Sequence, residues 1–156
     1  MTTEHQETQQ EKAYIQFRDE YWEGLSEPAR TLIGVAQDVA STEHLDNFCL
    51  QPEQYDEAME EMRLAAAGLS DREYELLAKL WRVALAAAAS IYPDDFWPFT
   101  GYRSDRGDLH WYYRTVSGMI GTILQEKITA EWEKIIAEDR KKIAESKPED
   151  PEYIPF

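Results

Sequence analysis

The chain has 156 residues, 31 of them Asp or Glu against 16 Lys or Arg, a formal charge of −15. That balance excludes a nucleic-acid binder of the usual basic kind, and 43% hydrophobic residues over one domain's length exclude global disorder. The single cysteine, Cys49, excludes an internal disulfide, and the stretch MTTEHQETQQEK offers no apolar run for a secretory signal. Val83 to Pro93 is the longest uncharged run around the most apolar segment and falls well short of the ~20 residues of a membrane span. The expectation is a cytoplasmic protein that enters no membrane and contacts no nucleic acid directly.

Apolar residues recur at helical spacing and no stretch alternates long enough for a strand. The expected fold is therefore all-α: a single-domain helical bundle of about five helices over residues 1–146, then an extended Pro-containing tail, 147–156. The first helix is expected from about Glu7 to Gly24, with Tyr14, Tyr21, Trp22 and Leu25 on one side. Arg18 falls inside that apolar arc, where it needs a buried carboxylate or a ring as partner. Ser26 caps a second helix with Pro28 in its first turn and Leu32, Ile33, Ala36 and Val39 on its inner side.

A connector over 41–51 follows, and Pro52 opens a third helix that runs through Met59 and Met62 to Gly68. Ser70 and Glu73 form a capping box for the fourth helix, about Asp71 to Tyr92. Apolar residues nearly surround it, so it is expected to be the buried central helix. An irregular aromatic loop comes next, and a long helix from about Leu109 to Ser146 ends the bundle. Near Lys127 its apolar stripe of Tyr113, Val116, Ile120 and Ile123 gives way to a rotated one, Ile128, Trp132, Ile135 and Ile136. A bend or a change of packing partner is expected there. Ser117, Gly118, Gly121 and Thr122 make a narrow side that another helix can approach closely.

The charge is unevenly placed. Up to Met62 there are 15 acidic residues against three basic ones, a balance of −12, while the rest of the chain carries only −3. In the third helix Glu53, Asp56, Glu57, Glu60 and Glu61 fall within an arc of roughly 140°, with Tyr55, Ala58, Met59, Met62 and Ala66 opposite. No Lys or Arg falls inside that arc. Carboxylates three or four residues apart repel by a few tenths of a kcal/mol per pair, so a helix built only for stability would intersperse Lys. Side chains at this spacing stand about 5–6 Å apart, close to the roughly 7 Å between phosphates along a nucleic-acid strand. The expected use is a non-enzymatic one: the acidic face, with Glu20 and Glu23 as additions, occupies the basic nucleic-acid-binding surface of a partner protein and inhibits it.

In charge and size the chain resembles the small acidic proteins of phages and mobile elements that imitate DNA or block nucleic-acid enzymes. The resemblance implies an inhibitor and transfers no functional residue.

An alternative reading places the contact in the aromatic loop over 96–111, where Trp97, Phe99, Tyr102, Arg103 and Trp111 supply the residue types that anchor interfaces. The protein is then an interaction or scaffold subunit. His110 could act with Asp94, Asp95 or Asp108 as an acid–base pair, yet no nucleophile elbow or phosphate-binding glycine loop accompanies it, and no enzyme activity is expected. None of the three histidines has a Glu three residues before it, so no metal or other cofactor is expected. Cys49 reads as a small buried residue. Tyr153, Ile154 and Phe156 in the tail are spaced by proline and suit a partner's groove.

Overall fold

The computed structural model describes residues 7–46, 48–91 and 105–146, with side chains of the last stretch from 107 onward. It is an all-α bundle of five helices: α1 (Gln9–Trp22), α2 (Glu27–His44), α3 (Pro52–Ala66), α4 (Asp71–Ala89) and α5 (Asp105–Glu145). None of the described residues is in a strand, and no described helix is long and apolar enough to cross a membrane.

Local chemistry sets where the helices begin. Thr8, not Glu7, starts α1: the Glu11 amide donates to Thr8 Oγ1 at 3.1 Å and the Thr8 amide donates back to Glu11 Oε1 at 3.2 Å. This reciprocal box turns Glu11 inward, leaving it 1% exposed. At the far end Arg30 donates to the carbonyls of Trp22 and Glu23 at 3.0 and 2.8 Å, taking up two acceptors that the helix end leaves free. Ser26 caps α2 as its sequence position implies, accepting from the Ala29 amide at 3.3 Å.

Glu73 does more than close its own box. One oxygen accepts from the Ser70 amide at 3.2 Å and the other from the Ser26 amide at 2.9 Å, so a single carboxylate serves the entry of both α4 and α2. The donors of Ser26, and secondarily Ser70, hold its pKa below the ordinary 4.5. The folded state thus binds a proton less readily than the unfolded chain. Its contribution is present above pH 4.5 and is lost as the pH falls through the depressed folded value. Glu73→Ala should lower unfolding free energy by about 1–2 kcal/mol at neutral pH, and the gap from wild type should close below pH 4.5 in urea titrations. A gap that persists in acid would mean the side chain acts by packing instead.

The core joins all five helices. Leu32, Ala36 and Ala40 of α2, Met62 of α3, Leu80 and Ala84 of α4, and Val116, Met119 and Ile120 of α5 are fully or almost fully buried. α1 packs on α4, and α2 on α3. Trp81 meets the narrow side of α5 at Gly121, where an added Cβ would come within 2.9 Å of its Nε1, while Gly118 and Thr122 stay exposed. α4 therefore sits between α1 and α5, with Leu85, Ala86 and Ala89 left as an exposed strip. The helix α5 runs unbroken past Lys127, with no interruption where the stripes change. The compact bundle unit ends at Leu124, and the turns from Gln125 onward form a second unit whose side chains are nearly all exposed.

Candidate functional site

The acidic candidates lie on α3. Pro52 sits in its first turn, and the Gln51 amide is held by Gln54 Oε1 at 2.8 Å. Met59, Met62 and Ala66 are buried, which turns the other side of the helix outward. Glu53, Asp56, Glu57, Glu60 and Glu61 are all exposed. Only Glu53 stands in the first turn, where the helix dipole favours a negative charge. The other four gain nothing from it. Arg63, at the margin of the arc, approaches Glu60 with Nη1 3.4 Å from Oε2, an exposed pair worth no more than a few tenths of a kcal/mol.

Two residues join this face beyond the five expected carboxylates. Leu64 projects among the carboxylates and is 71% exposed. Beside it an open groove of about 380 Å³ runs between α2 and α3, lined by Glu27, Pro28, Thr31, Glu61, Leu64 and Ala65. Glu27 comes from the first turn of α2 and could be found only once the two helices were seen to pack. Leu64 was legible, since its helical angle falls in the middle of the acidic arc.

Glu20 and Glu23 are exposed but belong to a different region. Glu20 lines an open cleft of about 430 Å³ with Tyr21, Gly24, Ser70, Arg72 and Glu73. Glu23 lies 4.0 Å from Arg30 and is almost fully solvated. Of the alternative set, Trp97, Phe99, Tyr102 and Arg103 lie outside the described residues, as do Tyr153, Ile154 and Phe156. Trp111 is described: it is 39% exposed, with the Arg114 guanidinium 5.6 Å from its ring and His44 6.5 Å away.

His110 is buried and its Nδ1–H donates to the Ala88 carbonyl at 2.7 Å, which fixes the tautomer. Burial pushes its pKa below the ordinary histidine value, against an opposing effect of that hydrogen bond. Among the described residues the ion pair of Arg18 is not with a buried carboxylate. Arg18 pairs with exposed Asp19 at 3.0 Å and donates to Gln37 Oε1 at 3.3 Å. Cys49 is exposed, contrary to its expected burial, because it falls in the connector beyond the end of α2 and no helix carries it inward. His44 Nε2 meets Thr115 Oγ1 at 2.8 Å and lies 3.6 Å from Glu43. Among the described residues no three potential ligands gather to hold a metal ion.

What this arrangement can do is present fixed negative charge around one apolar side chain. No family model, no curated protein and no solved structure matches the chain, so that reading rests on its own geometry.

Proposed function

We infer that this protein is a non-enzymatic acidic antagonist that binds a nucleic-acid-handling protein and inhibits it by occupying its basic site. The supporting observation is the α3 face, five exposed carboxylates backed by a buried Met59 and Met62. These charges repel one another and bring the helix little in return. Leu64 and Glu27 extend the face toward α2, and an exposed apolar side chain with charge around it follows the arrangement of an interface, an apolar contact inside a polar rim. Its charge and size are those of phage or mobile-element DNA mimics, and such a role belongs in the cytoplasm.

Association of this kind is steered by long-range attraction and weakened by salt. The immobilised full-length protein should capture its partner from a nuclease-treated lysate at low ionic strength. A rise to roughly 0.3 M salt should release it, as should an excess of duplex DNA. Capture indifferent to both salt and DNA would overturn the reading.

A further inference from the structure

The second unit carries an exposed apolar helix face. Ile128, Trp132, Ile135, Ile136 and Ile143 are all exposed, Trp132 at 60%, and at 100° per residue they share an arc of about 100°. Together they present on the order of 500 Å² of apolar surface, as large as the biggest patch on a typical monomer.

We propose that this face pairs antiparallel with the same face of a second copy of the chain. The argument is the charge along its two borders. Glu131 and Lys142 flank the arc on one side, Glu133 and Arg140 on the other. Both pairs have the same midpoint, between Ile136 and Ala137. A two-fold alignment about that point sets Glu131 level with Lys142 of the second copy and Glu133 level with Arg140 of the second copy. Each pairing is made twice. A parallel alignment would set one border against the other, bringing Glu131 beside Glu133 and Lys142 beside Arg140 of the second copy, and would place like ends of the two helix dipoles together. Within the chain Lys127 Nζ lies 3.3 Å from Glu131 Oε1, and Glu131 stays mostly exposed.

Asp139 interrupts the arc with a carboxylate. In the antiparallel alignment Trp132 of the second copy comes within about 3 Å of its level along the axis, bringing an indole N–H donor to the one acidic group in the seam. Two copies of the face bury on the order of 1,000 Å², the lower bound for a specific interface.

Sedimentation of the full chain tests this independently of the acidic α3 face. Wild type should be dimeric at about 100 µM, and Trp132→Glu should be monomeric with unchanged helical content. Glu133→Arg alone should weaken self-association by about tenfold, and so should Arg140→Glu alone. The double variant Glu133→Arg/Arg140→Glu should recover most of the loss, because the reversed charges again face each other. A monomeric wild type at that concentration overturns the proposal, whatever other partner covers the face. Single variants that weaken the dimer without rescue in the double overturn its antiparallel register.

Discussion

Glu57→Lys/Glu60→Lys should weaken partner binding by roughly 30- to 150-fold while leaving the fold intact. Each substitution replaces an attraction of about 0.5–0.75 kcal/mol with a repulsion of similar size, so the two together cost about 2–3 kcal/mol. Both side chains are exposed and neither touches the core of Met59 and Met62. Lys is as good a helix former as Glu. The new cations would also relieve repulsion with Glu53, Asp56 and Glu61, so the melting temperature should hold or rise slightly. Affinity measured by calorimetry at two salt concentrations separates the contributions: the loss should shrink at high salt, where the charges are screened. A companion change, Leu64→Ser, should weaken binding severalfold at either salt level, since the lost term is apolar. Equal affinity for wild type and the double reversal would sink the acidic-face reading and leave the aromatic region near Trp111 as the surviving candidate.

Tyr14→Ala should destabilise the protein by about 3–5 kcal/mol, a large part of the ~5–15 kcal/mol that holds a domain together. Tyr14 is fully buried and ties three helices. Its ring meets the Tyr113 ring edge-on at 5.3 Å between centroids, and its hydroxyl donates to Gln37 Oε1 at 2.7 Å. Burial pushes the phenol far above its usual range, with Tyr112 adding to the effect, so it stays a neutral donor across the working pH range. Tyr14→Phe keeps the ring and loses only the hydroxyl. Gln37 Oε1 retains Arg18 as a donor at 3.3 Å, so the cost should be near 1 kcal/mol. Urea unfolding of both variants checks the ratio. Equal losses would show that the hydrogen bond, and not the packed ring, anchors α1.

Much of this architecture could be read before any coordinates. Apolar spacing near 3.6 residues marked all five helices, and Ser26, Ser70, Glu73 and Pro52 stand at the helix starts where their chemistry placed them. The orientation of α3 followed as well, because a helix with methionines on one side and carboxylates on the other has only one way to face a core. The Thr8–Glu11 box was equally present in the sequence, a Thr followed three residues later by Glu, yet the start was expected near Glu7, two residues before Gln9.

Contacts between distant segments were not legible, because a periodic pattern says which side chains share a face and not what covers it. Glu73 shows this: its partnership with Ser70 is local, whereas its bond to Ser26 spans 47 residues and exists only because α2 and α4 begin side by side. Glu27 entered the acidic face for the same reason, and Gly121 met Trp81. The stripe from Ile128 to Ile143 makes the point in reverse. Its sequence looks as core-like as that of Val116 and Ile120, and only the tertiary arrangement buries one set while leaving the other exposed. Amphipathic order is encoded residue by residue along the chain; burial depends on which second surface arrives to exclude the water.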